Sequence, residues 1–342
     1  MKTLNYIGCK HTLFPEILKV CKTWIPSLNN STFMDLFAGT GVVSYNIQDH
    51  VLKNDSNDLE YYSFIINKAI LKCSYSDKLQ QIINECNNLD PVEGLMYLNY
   101  SPNPSCERMF FTNENARKCD AIRQHIQLLA DNNCITENEF DFLLASLLVS
   151  VDHVANTSCV YGAYLKNFKS GALKPLIVSP IHKKTNVNVE HNNVFNMDAN
   201  DLTNLYYDVV YMDPPYNQRQ YSANYCPLNY LAFYDESIEL KGKTGLLKDY
   251  NKSEFSQKSN VLNAFTHLIQ FNCKYLVLSY NNEGLLDFKT LKNMLLNVGD
   301  VRLFKIQYKK FKAQKSVDGD SVYEYLWLVD KTSKTGSFVD IV

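Results

Sequence analysis

Apolar positions follow two regimes along the chain. Thr32-Phe33-Met34-Asp35-Leu36-Phe37 is a near-continuous apolar run that ends in Ala38-Gly39-Thr40-Gly41. That pattern predicts a buried strand followed by a glycine turn. Residues 42–48 predict a helix start, and 50–58 contain a second, shorter strand. Strand, glycine turn, helix and strand together open a doubly wound parallel sheet. The middle of the chain changes period. Residues 61–71, 76–86, 115–130 and 137–151 carry helical spacing, and an irregular Gly- and Lys-containing stretch follows over 156–184. Strand patterns resume at 207–212 and 275–280. Two late strands, 301–308 and 322–329, flank a polar turn at Asp318-Gly319-Asp320 and predict a terminal antiparallel hairpin. The simplest account is one α/β domain in two parts, 1–60 and 191–342, interrupted by a mostly helical insertion over 61–190.

Composition narrows the class. Hydrophobic residues make up 46% of 342, enough for a sizeable core. No run of eighteen apolar residues occurs, so no membrane span is expected. The start, Met1-Lys2-Thr3-Leu4-Asn5-Tyr6, lacks the apolar core of a signal peptide. The ten cysteines include no Cys-x-x-Cys pair, so no metal site is expected, and their scatter fits a reducing cytoplasm. The net charge of −2 argues weakly against nucleic acid, but its distribution reverses that. Residues 165–184 hold five lysines and no acid. Residues 302–317 hold six basic residues and no acid, interleaved with Phe304, Tyr308 and Phe311. One such run reads as a solvated face, whereas two in an acidic chain point to a phosphate-facing surface.

Asp213-Pro214-Pro215-Tyr216 stands directly after the strand predicted at 207–212. Ligands of open α/β sheets bind at the carboxyl ends of strands. Two prolines fix the backbone and remove two amide donors, leaving the Pro214 carbonyl rigid. Asp213 adds a carboxylate acceptor and Tyr216 a ring face. Together they suit a planar molecule carrying an amino group. Accepting both N–H bonds would pull the nitrogen out of conjugation and bare its lone pair for attack. Alone, the tetrapeptide also fits a plain proline turn after a strand, the less favoured reading.

Gly39 and Gly41 allow close backbone approach to a ligand. The loop is not the full dinucleotide fingerprint, and no phosphate-binding lysine follows it. An acid ending the next strand would bind ribose hydroxyls, and both Asp55 and Asp58 qualify by position.

Taken together, these segments resemble the Dam-like, alpha-class adenine amino-methyltransferases over almost the whole chain. Asn5-Tyr6-Ile7-Gly8-Cys9-Lys10 matches the family's N-terminal cofactor segment, with Cys9 in the usual serine position. Asp35 to Gly41 matches its Gly-rich loop, Asn57 to Ser63 its acidic strand end, Asn196-Met197-Asp198-Ala199 its adenine-facing segment, and Asp213 to Tyr216 its catalytic tetrapeptide. Residues 217–225 and 278–284 resemble one branch of the family. The resemblance implies a Rossmann-like S-adenosylmethionine-dependent methyltransferase sheet. It implies cofactor contacts from Tyr6, Lys10, Asp35, Phe37, Ala38, Gly39, Thr40, Gly41, Asp198 and Asp213, and favours Asp58 over Asp55 at the ribose. The insertion becomes a target-recognition domain on double-stranded DNA, with phosphate contacts expected from Lys166, Lys169 and Lys174. The target adenine would be flipped into the pocket, where Asp213, Pro214, Pro215 and Tyr216 hold it. The methyl would pass in line to its N6 with no covalent enzyme intermediate and no metal. A monomer is the default expectation, within a restriction-modification system whose cognate endonuclease forms no stable complex with it. An RNA adenine methyltransferase, or a non-catalytic nucleic-acid-binding protein on the same fold, remains the alternative.

Overall fold

The computed structural model of the chain describes residues 1–308 and 322–341. The turn expected at Asp318-Gly319-Asp320, and the part of the second basic run beyond residue 308, lie outside the described residues.

Among the described residues, eight strands form one sheet. They are β1 (Thr32–Asp35), β2 (Lys53–Asn57), β3 (Val194–Phe195), β4 (Tyr207–Met212), β7 (Cys273–Asn281), β8 (Asp300–Tyr308), β9 (Val322–Asp330) and β10 (Phe338–Ile341). A separate two-stranded ribbon joins β5 (Leu240–Lys241) to β6 (Leu246–Leu247). The order in the large sheet is β10-β8-β9-β7-β4-β1-β2-β3. The pairs β3–β2, β2–β1, β1–β4 and β4–β7 are parallel, and β9 pairs antiparallel with both β7 and β8. The expected terminal hairpin is thus β8–β9. The chain leaves β1 in one direction for β2 and later returns to the other side of β1 as β4. This reversal opens a crevice at the carboxyl ends of β1 and β4.

The apolar runs read as strands because they are buried on both faces. Phe33, Val209, Tyr211 and Val277 point to the face covered by α1 (Phe14–Trp24) and α2 (Val42–Ile47). Met34, Val210, Met212, Leu276 and Leu278 point to the opposite face, under α10 (Val261–Leu268) and α11 (Phe288–Leu296). The alternation is the period of two that a pleated strand requires.

A third core belongs to the helices α3 (Tyr61–Lys72), α4 (Asp77–Asn88), α5 (Leu95–Tyr100), α6 (Asn113–Asp131) and α7 (Glu137–His153). Every residue from Asp141 to Asp152 is buried, which places α7 at the centre of this layer. It opens with a capping box in which Thr136 and Glu139 satisfy each other's backbone amides. The layer does not close on residues 61–190 alone. Tyr225 and the buried face of α9 (Cys226–Phe233), reached through the one-turn α8 (Tyr221–Asn224), share its core, as does Leu247 of β6. Among the described residues no helix is long and apolar enough to cross a membrane.

Candidate active site

The crevice at the ends of β1 and β4 is a cleft of about 920 Å³, open solvent at its mouth included. Three chain segments far apart in sequence build most of its wall.

The first is the N-terminal segment. The carboxylate of Asp152, at the end of α7, accepts the Asn5 backbone N–H at 2.7 Å and its side-chain amide at 3.0 Å. Its other oxygen accepts the Tyr161 hydroxyl at 2.8 Å. The Ile7 amide donates to the Tyr225 hydroxyl at 2.9 Å. These bonds hold Tyr6 stacked on Tyr225, with ring centroids 4.7 Å apart. The helical layer therefore positions the wall of the cleft.

The second is the loop from β1 to α2, with the end of β2 beside it. The Gly39 amide donates to Asp58 at 2.7 Å, and the other Asp58 oxygen accepts the Glu60 amide at 2.8 Å. At Gly39 the φ is +50°, and a Cβ would come 3.2 Å from the Tyr6 ring. Asp35 accepts both the backbone N–H and the hydroxyl of Ser44 through one oxygen, while its other oxygen is buried with no protein partner. Glu60 accepts from Ser222 and Asn229, tying this loop to the segment that follows the tetrapeptide.

The third is the turn after β4. The Asp213 carboxylate meets the Lys10 ammonium at 2.8 Å, and Lys10 also reaches Glu324 at 3.3 Å. The carbonyl of Tyr216 accepts from the Leu285 amide at 3.1 Å. Burial pushes the carboxyls of Asp213 and Asp58 up to about 6, and those of Asp35 and Glu60 up to about 7. At Asp213 the Lys10 ammonium works against that rise. Burial also works against the charge of Lys10, yet Asp213 and Glu324 hold its pKa well above the ordinary lysine range.

The structure brings almost every residue singled out in the sequence to this one cleft. Tyr6, Lys10, Asp35, Phe37, Ala38, Gly39, Thr40, Asp58, Asp198, Asp213, Pro214, Pro215 and Tyr216 all line it. Gly41 does not. It starts α2 at φ +71°, and a Cβ there would lie 2.4 Å from Ile70, so its role is the approach of α2 to α3. The two acids of the strand end take different places. Asp58 faces the cleft, whereas Asp55 is fully buried among Lys53, Asn193 and Tyr207.

Sequence reasoning missed Phe255 and Ser253, which complete the lining from a stretch with no motif. Phe255 packs edge-on against Phe37 at 5.1 Å. It also missed Glu324, which no local pattern marks. The expected phosphate contacts divide. Lys166 and Lys174 are exposed, but the Lys169 ammonium turns inward to the Thr157 carbonyl at 2.6 Å. No cluster of three or more potential metal ligands occurs among the described residues.

Comparison with known proteins identifies the family. A Type II methyltransferase, M.NlaIII of Neisseria lactamica, is 39% identical over 340 residues that span 96% of this chain and 100% of that protein. M.CviAII of Paramecium bursaria Chlorella virus 1, also a Type II methyltransferase, is 40% identical over 96% of this chain and 99% of its own length. M.FokI of Planomicrobium okeanokoites is 36% identical, and the match covers 53% of that longer protein. The sequence profile of the D12 class N6 adenine-specific DNA methyltransferases matches residues 6–294, and the chain belongs to that family.

Proposed function

We propose that this cleft binds S-adenosylmethionine beside an adenine flipped out of double-stranded DNA, and that the chain methylates the adenine N6. One observation carries the reading: Asp213 and Tyr216, at the end of β4, open on the same cleft as the Gly39 loop and Asp58. The lining fits the cofactor on its own chemistry. The unpartnered, buried Asp35 oxygen on the cleft wall suits the cation of an amino-acid group. Asp58 keeps acceptor capacity beyond its two backbone bonds and would take ribose hydroxyls. Asp198, between Met197 and Ala199, would accept from the adenine amino group of the cofactor. Bound there, S-adenosylmethionine supplies an electrophilic methyl group on a sulfonium.

The chain's own work is positioning and electrostatics. Asp213 accepts one N–H of the target amino group, the Pro214 carbonyl accepts the other, and Tyr216 stacks on the ring. Phe37, Phe255 and Tyr6 keep water out. No side chain becomes covalently attached to substrate.

Residues 61–190 would form the target-recognition domain, with residues 1–60 and 191–342 as the two parts of the catalytic domain. Lys166 and Lys174 would meet phosphates. The Type II names of the relatives support a role in a restriction-modification system. In this reading the enzyme acts in the cytoplasm as a monomer, apart from its cognate endonuclease.

The test is transfer of label from S-adenosylmethionine to unmethylated genomic DNA, run beside total RNA and beside Asp213→Ala. Label is expected on DNA adenine, and it should fall to background in the variant while cofactor still binds. Label confined to RNA, or undiminished in Asp213→Ala, would sink the reading.

A further inference from the structure

Lys10 brings the N-terminal segment against Asp213, after β4, and Glu324, on β9. Its ammonium has three donors, and three acceptors surround it: Asp213 Oδ1 at 2.8 Å, the Gly8 carbonyl at 3.2 Å and Glu324 Oε1 at 3.3 Å. Glu324 is held in turn by the Ser279 hydroxyl, which donates to Oε1 at 2.7 Å. Strands β4, β7 and β9 are neighbours in the sheet, and Glu324 pairs with Asn281, two residues from Ser279. Both side chains therefore stand on the same face of the sheet as Tyr211, just before Asp213. Glu324 lies beyond the residues that the family profile matches, 6–294.

We propose that Glu324 is a positioning residue: by occupying one donor of Lys10 it keeps that ammonium from closing on both oxygens of Asp213, and so leaves one carboxylate oxygen aimed at the target amino group. The inference rests on the site reading above. Its physical content is a count. With Glu324 in place, the three donors have three partners and Asp213 gives up one oxygen. Without Glu324, the freed N–H takes the nearest remaining anion, which is Asp213 itself. The target base must then break a two-point ion pair before it can dock. A merely structural Glu324 would lower the amount of folded enzyme instead, without favouring one kinetic constant.

The test compares the parent with Glu324→Ala, Glu324→Gln and Ser279→Ala on one DNA substrate. Glu324→Ala should lower kcat roughly ten- to a hundredfold, the scale of a misplacement on the order of an ångström, with KM for S-adenosylmethionine unchanged. Glu324→Gln keeps an acceptor oxygen and should recover most of that loss. Both variants remove a negative charge that raises the Asp213 pKa, so the acid limb of their pH–rate profiles should move to lower pH. A kcat for Glu324→Ala within twofold of the parent, a Gln variant no better than Ala, or an unmoved acid limb overturns the proposal. Should Glu324→Ala fail to fold, Glu324→Gln and Ser279→Ala decide. Parental kcat and pH profile in both overturn it, whereas a lower kcat in Ser279→Ala with the acid limb shifted in Glu324→Gln supports it. The parent separates this result from the site reading. An inactive parent, or full activity in Asp213→Ala, counts against the site, while an active parent with unaltered Glu324 variants counts against this inference alone.

Discussion

At the scale of the residue, the cleft is a place where burial holds acids near neutrality. Asp35 is the clearest case. Burial pushes its carboxyl up to about 7, the two Ser44 bonds pull it back down, and one oxygen stays unpartnered. The sign follows directly. A cation binds the ionised form, so binding should strengthen as pH rises through about 7 and level off above it. S-adenosylmethionine titrated calorimetrically between pH 6 and 8 should show this rise, with proton release on binding. Asp35→Asn should bind more weakly and lose the dependence, and a flat parental profile would remove Asp35 from the cation's site. The stability linkage runs the other way. A raised folded-state pKa gives stability that is fully present below the unfolded value and lost as pH rises through about 7, so the cofactor-free protein gains least from Asp35 above neutrality. Residue identities within motifs were legible from the sequence because chemistry dictates them. The choice between Asp55 and Asp58 rested on the family resemblance alone, because the residues themselves qualify both by position. Only the fold shows that Tyr207 and Asn193 enclose the first and leave the second at the cleft.

At the scale of the element, the loop from β1 to α2 carries two glycines with different duties. Gly39 faces the cleft, where an added Cβ would push Tyr6. Gly41 faces the core, where a Cβ would collide with Ile70 and Asn67 of α3. Gly41→Ala should therefore destabilise the protein by about 1–3 kcal/mol, the usual scale of overpacking added to a positive φ. Gly39→Ala should leave the unfolding midpoint nearer the parent's and weaken S-adenosylmethionine binding on the order of tenfold, about 1.4 kcal/mol. Thermal unfolding and cofactor titration of both variants check this, and equal losses in both measurements would show that the division of labour is wrong. The sequence could not separate them, since Gly-x-Gly looks the same whichever side faces the core. The long helices α3, α4, α6 and α7 were legible from their period. The shorter α1, α9, α10 and α11 were not, because eight to eleven residues carry too few apolar positions to fix a period. Glu324 was illegible for another reason: its neighbours are set by strand register, which pairs it with Asn281 across 43 residues (324 minus 281).

At the scale of the whole molecule, the question is how a chain of net charge −2 holds DNA. The irregular stretch between α7 and β3 is not loose. Two buried asparagines organise it. Asn156 donates to the Met109 and Leu165 carbonyls and accepts the Lys169 amide. Asn115 donates to the Ala172 and Lys174 carbonyls and accepts the Leu176 amide. The backbone is thus fixed where it carries Lys166 and Lys174 outward, while Lys169 turns in to the Thr157 carbonyl. A basic run that reads as uniform in the sequence is divided in the fold into two surface charges and one internal strut. Each surface lysine that meets a phosphate should contribute about 0.9 to the slope of log binding constant against log salt. Lys166→Ala and Lys174→Ala should each flatten that slope by about this amount and weaken binding on all sequences alike. Lys169→Ala should leave the slope unchanged and instead lower the unfolding temperature, since it removes a strut between the loop and the end of the helical layer. Equal flattening by all three variants would mean that the inward lysine swings out on DNA. No flattening by Lys166→Ala or Lys174→Ala would place the phosphate path elsewhere on the molecule.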